Sequence, residues 1–192
     1  MRKLHPHQEI VGLSGLTVED FWIWGYSDML TNVVRNTFAE FLVGFALGRL
    51  HTPKSGQDSI GFDYRDKQVM VKAAAFVQSD ATQKKKSKIN FDIRNRTGKA
   101  GGDSGTLRAS DCYVFCLYAC ENYQDKDAAR NALINVTNWS FYVIPTRLLN
   151  QLVPAKKTVG ISWMEEHCPD GAVRFSNLKR RIDSVLGFPP DD

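Results

Sequence analysis

The spacing of apolar residues predicts three helices in the 192-residue chain, over residues 17 to 30, 31 to 48 and 175 to 187. Thr17 opens the first of them, and Glu19 and Asp20 lie in its first turn, which is a signal of a helix start. The second ends on Gly48, a residue type that commonly terminates helices, and its composition predicts a long and largely buried helix. The third has an apolar side and a basic side, as expected of an amphipathic helix packed on a core.

Short segments rich in β-branched and aromatic residues predict the strands. Residues 59 to 76 form two arms around a turn at Arg65 and Asp66, which predicts a β-hairpin. Residues 112 to 120 are apolar on both faces, as a central strand would be. Further strands are predicted over residues 88 to 94, 139 to 146 and 158 to 163, and a glycine-rich mobile loop over residues 97 to 105.

The order of these elements predicts an α/β fold with a mixed β-sheet flanked by helices. No repeat or long linker divides the sequence, so we expect a single domain over residues 1 to 192, with flexible ends at 1 to 16 and 188 to 192. Apolar residues make up 43% of the chain, which suffices for a core without disulfides. The four cysteines include no Cys-x-x-Cys pair, which argues against a zinc site, and the first residues lack a secretory signal, which predicts a cytoplasmic protein.

Positive charge is concentrated in one segment. The net charge is +4, but residues 84 to 99 hold seven basic residues and one acidic residue, so the other segments together carry −2. A basic patch on an otherwise acidic protein suggests a polyanionic partner such as a nucleic acid. The alternative is a solvated loop that keeps the protein soluble. Our candidates for nucleic-acid contacts are Lys84, Lys85, Lys86, Lys88, Arg94 and Arg96.

The segment after the predicted turn carries the strongest motif. It reads VMVKAAAFVQS from Val69 to Ser79 and is similar to the EVKS-aromatic-x-Q segment of an uncharacterised bacterial group of restriction-endonuclease-like proteins. Through this segment the chain resembles the PD-(D/E)XK nuclease superfamily, the restriction-endonuclease-like fold. Further marks of the group are Val18-Glu19-Asp20-Phe21-Trp22, Tyr26-Ser27-Asp28, Ala39-Glu40-Phe41, Lys88-Ile89-Asn90-Phe91, Tyr113-Val114-Phe115-Cys116 and Trp139-Ser140-Phe141-Tyr142-Val143-Ile144-Pro145-Thr146.

The resemblance implies Mg²⁺-dependent hydrolysis of DNA phosphodiesters. In the superfamily plan a helix carries a Glu, the first hairpin strand an Asp, and the second strand an acidic residue, a spacer and a Lys. Glu40, Asp63 and Lys72 match parts of that plan, with Glu40 and Asp63 as the metal ligands of a reduced site, and Gln78 would contact the bound anion or orient Lys72. The alternative is that Glu40 reaches solvent at a helix edge, Lys72 snorkels from an exposed face and Asp63 is a surface residue.

The predicted hairpin departs from the superfamily plan at the metal-binding positions. A turn centred on Arg65 and Asp66 places Gly61 opposite Met70, where the resemblance implies two carboxylates. Neither side chain offers an oxygen atom. Asp63 lies two residues from Gly61 on the same face, about 6 to 7 Å along the strand, which is farther than a Mg²⁺ to oxygen bond reaches.

These observations favour a protein that binds double-stranded DNA on a nuclease scaffold, with Mg²⁺-dependent cleavage as an extension of that role. The alternatives are a catalytically inactive homologue that binds DNA, and a structural or partner-binding protein whose basic loop is only solvated. Restriction-like enzymes often act as symmetric homodimers. The only interface signal here is the aromatic helix predicted over residues 17 to 30.

Overall fold

A computed structural model describes residues 3–51, 61–94, 108 and 110–189. Its helices are α1 (Val18–Tyr26), α2 (Asn32–Ala46), α3 (Lys126–Leu133), α4 (Thr146–Leu152), α5 (Ile161–His167) and α6 (Phe175–Leu186). Its strands are β1 (Phe62–Tyr64), β2 (Lys67–Ala75), β3 (Asn90–Asp92), β4 (Cys112–Tyr118), β5 (Trp139–Pro145) and β6 (Thr158–Gly160). The glycine-rich loop predicted over residues 97 to 105 and the predicted contact residue Arg96 lie outside the described residues.

Four of the strands form a mixed sheet in the order β1-β2-β4-β5. β2 is antiparallel to β1 and parallel to β4, and β4 is antiparallel to β5. Every residue of β4 is buried, as its apolar composition predicts for a central strand. The predicted mixed α/β architecture is therefore confirmed, while β3 and β6 stand apart from the main sheet as an antiparallel pair.

The main sheet separates two apolar cores. One core lies between the sheet and α2, α3 and α6, and Val43 and Leu178 belong to it. The other lies between the opposite face and β3, β6, α4 and α5, and it includes Phe91. Because side chains alternate along a strand, β2 contributes to both cores, with Val71 in the first and Ala74 in the second.

The hairpin has the predicted turn and register. Tyr64 pairs with Lys67, and Phe62 pairs with Val69. Arg65 adopts a positive φ of 55° within the turn. The residues of β2 that follow Val69 therefore extend past Phe62, the residue at which β1 begins, and this extension positions the site described below.

Two of the predicted helix ends are confirmed. The Thr17 hydroxyl accepts a hydrogen bond from the backbone N–H of Asp20, and the Asp20 carboxylate accepts one from the backbone N–H of Thr17, which forms a capping box. Gly187 ends α6 in the left-handed conformation. No sequence pattern indicates α3, α4 and α5. These helices span only seven or eight residues, too few for a helical period to stand out.

The outer faces of α1 and α2 are more exposed than their composition predicts. Phe41 and Phe45 on α2 are 50% and 63% exposed, and Trp24 on α1 is 86% exposed. The inner face of α2 is buried against the first core through residues such as Ala39 and Val43. In the described ranges, no helix combines the length and the apolar character that a membrane crossing requires.

Candidate functional site

A cavity of about 660 Å³ lies at the edge of β2. β1 pairs only with Lys67, Gln68 and Val69 of β2, and among the described residues no strand pairs with residues 70–75 on that side. α2 borders the cavity from one face of the sheet, and β3 borders it from the other. The cavity is therefore an open strand edge with a helix on one side and a short strand on the other.

Three of the predicted catalytic residues line this cavity. Glu40 comes from α2, Lys72 from the middle of β2, and Gln78 from the segment that follows β2. Glu40 is only 6% exposed, so it lies inward and not at a solvent edge of the helix. Its charge also acts on β4. Burial raises the pKa of the Cys116 thiol, and the negative charge of Glu40 raises it further.

Gln78 fastens the end of β2 to the loop beyond it. Its side-chain Nε2 donates a hydrogen bond to the Ala75 carbonyl at 2.7 Å, and its backbone N–H donates to Gln83 Oε1 at 2.9 Å. The Gln78 carbonyl in turn accepts a hydrogen bond from Lys126 Nζ at 2.7 Å. Gln78 therefore helps to fix the wall of the cavity in which Lys72 lies.

Asp63, the predicted partner of Glu40 in a metal site, lies outside the cavity. Its side chain is exposed, and its Oδ1 accepts a hydrogen bond from Gln68 Nε2 at 3.1 Å. Met70 packs against the second core instead of facing a ligand. Glu40 and Lys72 thus line one cavity, and Asp63 does not.

A second carboxylate that the sequence did not reveal reaches the cavity from β3. Asp92 lines the wall, and Arg94 donates hydrogen bonds to both of its oxygens at 2.6 to 3.1 Å. Burial alone would raise the pKa of Asp92, but the hydrogen bonds from Arg94 and the positive charge of Lys72 lower it to about 2. Asp92 is therefore an anion at neutral pH, and it lies close enough to Lys72 for the lysine charge to lower its pKa.

The alternation of residues 89 to 93 could have identified the face on which Asp92 lies. Ile89, Phe91 and Ile93 are 3%, 1% and 0% exposed, whereas Asn90 and Asp92 line the cavity. Such alternation is the sequence signature of a half-buried strand. No sequence signal placed this strand opposite Lys72, because β3 pairs with β6, about 70 residues later in the chain.

The basic segment divides into paired and unpaired residues. Lys86 forms an ion pair with Glu121, and Arg94 is engaged with Asp92. Lys84 and Lys85 are exposed, and Lys88 lines the cavity. In the described part of the chain these last three residues form no ion pair, so their charges are available to a polyanion.

The loop that carries these lysines is organised around the side chain of Gln83. Its Nε2 donates hydrogen bonds to the carbonyls of Phe76 and Lys85 at 2.8 and 2.9 Å. Its Oε1 accepts hydrogen bonds from the backbone of Gln78 and from Lys126 Nζ. The basic segment therefore starts from a fixed base beside the cavity.

The oxygen donors at the cavity fit a metal that binds together with a phosphate. Within the described ranges, no three His, Cys, Asp or Glu side chains form a group that could hold a metal ion. Glu40 and Asp92 are two carboxylates in one cavity. Mg²⁺ is often held by one or two carboxylates, with phosphate oxygens and water as its other ligands. Glu40 and Asp92 thus supply the type of ligand that Mg²⁺ takes together with a phosphate, and fewer side chains than a metal held by the protein alone requires.

Comparison of the chain with protein-family models, with curated proteins and with solved structures gave no match. Support for a function therefore comes from the residues of the cavity and from the charged segment beside it.

Proposed function

We propose that the protein binds double-stranded DNA and that the cavity at the edge of β2 receives a backbone phosphate. The observation that carries this proposal is the meeting of Lys72 and Lys88 with Glu40 and Asp92 in one cavity. The exposed and unpaired Lys84 and Lys85 follow the same strand in sequence. Lysine contacts to phosphates supply most of the affinity of proteins for DNA, whatever the sequence of the DNA.

A restriction-endonuclease-like scaffold is part of this proposal. A helix that carries an inward-facing Glu40 packs against the second hairpin strand, which carries Lys72, and this is the placement that the superfamily plan implies. The mixed sheet and the hairpin register agree with that plan, and the position of Asp63 departs from it. A role on DNA also agrees with the cytoplasmic location expected from the sequence.

Charge reversal in the basic loop tests DNA binding. We expect Lys84→Glu with Lys85→Glu to weaken binding of a duplex by about tenfold or more, because two favourable phosphate contacts become repulsive. Arg174→Glu with Arg180→Glu is the matched control, because it reverses two exposed basic residues, one just before α6 and one on it, that do not line the cavity. Fluorescence anisotropy at a fixed salt concentration measures the affinity of both double variants for the duplex. Equal losses in the two double variants would contradict a specific role for the basic loop.

Cleavage of the bound strand is a second candidate function, favoured by the presence of Asp92 in the same cavity as Glu40 and Lys72. When bound, Mg²⁺ would be held by Glu40 and Asp92 and would polarise the phosphate as a Lewis acid. Lys72 would neutralise the charge that develops on the phosphate oxygens. Arg94 would keep the Asp92 carboxylate ionised and oriented, since it donates to both of its oxygens.

A nuclease assay with Mg²⁺ or Mn²⁺ tests this second function and shows whether Asp92 or Asp63 is the second acid of the site. We expect Asp92→Asn, Glu40→Gln and Lys72→Ala each to abolish cleavage, and Asp63→Asn to retain it, because Asp63 lies outside the cavity. Loss of cleavage in Asp63→Asn with activity retained in Asp92→Asn would contradict this arrangement of the site. If the wild type binds DNA but does not cleave it, cleavage is excluded and DNA binding remains as the only proposed function.

A further inference from the structure

We propose that the amino-terminal end of α2 is an anion site, separate from the position of Glu40 further along the helix, which holds the DNA phosphate next to the one that Lys72 contacts. The identity of the anion as a DNA phosphate rests on the proposed function. The site itself is formed by Arg35, by the amide side chains of Asn32 and Asn36, and by the first backbone N–H groups of α2.

Arg35 is a buried cation without a carboxylate partner among the described residues. Its side chain is 3% exposed and contributes to the wall of the cavity. It donates hydrogen bonds to the Leu30 carbonyl at 2.7 Å and to Asn32 Oδ1, but its Nε has no partner in the same ranges. Burial lowers the pKa of Arg35 to about 10, so the guanidinium remains charged at neutral pH. A buried charge without a counter-ion is unfavourable, and an anion in the cavity would relieve that cost.

The first turn of α2 adds backbone donors to this charge. The Thr31 hydroxyl accepts a hydrogen bond from the N–H of Val34, and the Thr31 carbonyl accepts one from the N–H of Arg35. The N–H groups of Asn32 and Val33 have no partner in the described part of the chain, and both residues line the cavity. Free N–H groups and the positive end of the helix dipole favour anions at such a position.

The side chains around Arg35 are also arranged as donors. Since Arg35 donates to Asn32 Oδ1, the amide nitrogen of Asn32 is directed away from the guanidinium and can donate to a ligand. Asn36 lies one turn further along on the same face and also lines the cavity. Along α2, five residues, or about 7.5 Å, separate Arg35 from Glu40. The amino-terminal end of α2 therefore combines donors with a positive charge, and Glu40 lies further along the helix.

Such a set of donors suits a tetrahedral oxyanion, which accepts several hydrogen bonds at once. Consecutive phosphates of one DNA strand would then lie along α2, one near Lys72 and the next near Arg35. Two phosphate contacts on one strand would fix the register of the strand in the cavity, since backbone contacts orient a nucleic acid on its protein.

Isothermal titration calorimetry with inorganic phosphate, at constant ionic strength, tests the anion site. Asn32→Asp places a carboxylate of the protein itself beside Arg35, where it takes the position of the bound anion. Acidic residues are favourable in the first turn of a helix, so we expect this variant to fold. Asn131→Asp is the matched control, because it adds the same charge to an exposed position on α3. We expect saturable binding by the wild type and by the control, and binding about tenfold weaker in Asn32→Asp.

No saturable binding of phosphate by the wild type, or equal binding by Asn32→Asp, would overturn the anion site. If thermal unfolding shows that Asn32→Asp does not fold, Asn36→Asp replaces it, and the same loss is expected. Titration of the same proteins with duplex DNA separates this inference from the proposed function. Phosphate binding that depends on Asn32, without any DNA binding, would overturn the proposed function and support the anion site. DNA binding without phosphate binding would do the reverse.

Discussion

Gly61 has a backbone conformation that residues with side chains rarely adopt. Its φ is +141°, and a Cβ atom there would clash with the Val69 carbonyl oxygen. An aspartate at this position, which the superfamily plan implies opposite Met70, does not fit the path of the hairpin. The glycine is therefore required by the backbone at this position, and the carboxylates that line the cavity are those of Glu40 and Asp92.

Gly61→Ala should destabilise the protein more than the same change at a left-handed glycine in open space. Gly171 is the matched control, with a φ of +65° and no atom within 4 Å of the point that a Cβ atom would occupy. We expect Gly171→Ala to cost about 1 to 2 kcal/mol of unfolding free energy, the usual cost of a left-handed residue. Gly61→Ala should cost more, because it adds a steric clash. Denaturant unfolding measures both, and equal losses would contradict the close approach to Val69.

Asp92 should make stability depend on pH in the acidic range. Its pKa of about 2 in the folded protein is below the value of about 3.9 for an unfolded chain. A lowered pKa means that the ionised form stabilises the fold at pH above about 4, and that this contribution disappears as the pH falls towards about 2. Unfolding free energies of the wild type and Asp92→Asn should thus converge between about pH 4 and pH 2. A difference that stays constant over this range would contradict the ionised, Arg94-paired carboxylate.

At the scale of the elements, the side chain of Gln83 makes several of the hydrogen bonds that hold the loop after β2. We expect Gln83→Ala to loosen the loop, because it removes the hydrogen bonds to the Phe76 and Lys85 carbonyls and one acceptor for Lys126. Amide hydrogen exchange of residues 84 to 88 should become faster, and DNA affinity should fall although no charge has changed. The control is Gln124→Ala, an exposed glutamine in another loop. Unchanged exchange in Gln83→Ala would contradict this role of Gln83.

Local patterns predict those elements whose signals are local. The turn at Arg65 predicts the register of the hairpin, and the apolar composition of β4 predicts a central strand; the structure confirms both. The capping pattern at Thr17 likewise predicts the start of α1. Each of these features depends on neighbouring residues or on burial on both faces of one strand. α3, α4 and α5 are too short for a helical period to emerge, so their packing against the sheet decides their structure.

The candidate site is predictable only in part, for a related reason. Glu40 and Lys72 stand out as charges within apolar segments, and both line the cavity. Asp92 does not stand out, because its position depends on the long-range pairing of β3 with β6. The resemblance to the superfamily plan implies Asp63 at the site, but β1 pairs only with Lys67 to Val69 and does not reach the part of β2 that borders the cavity.

Over the whole molecule, the distribution of charge is more informative than the net value of +4. Lys86 and Arg94 are engaged with Glu121 and Asp92, which reduces the charge that the basic segment presents to a partner. Lys84, Lys85 and Lys88 have no ion pair in the described ranges. Lys88 lines the cavity, and Lys84 and Lys85 lie shortly before it in the sequence. The molecule thus presents a localised basic surface, as expected for contacts with the backbone of a nucleic acid.

The salt dependence of DNA binding by Lys72→Met, compared with the wild type, tests most directly whether a DNA phosphate enters the cavity. Lys156→Met is the control, since it removes an exposed lysine that does not line the cavity. Each lost phosphate contact reduces the magnitude of the negative slope of log affinity against log salt by about 0.9. We predict that reduction, together with weaker binding, for Lys72→Met and neither change for the control. A slope and an affinity in Lys72→Met equal to those of the wild type would contradict the entry of a phosphate into the cavity.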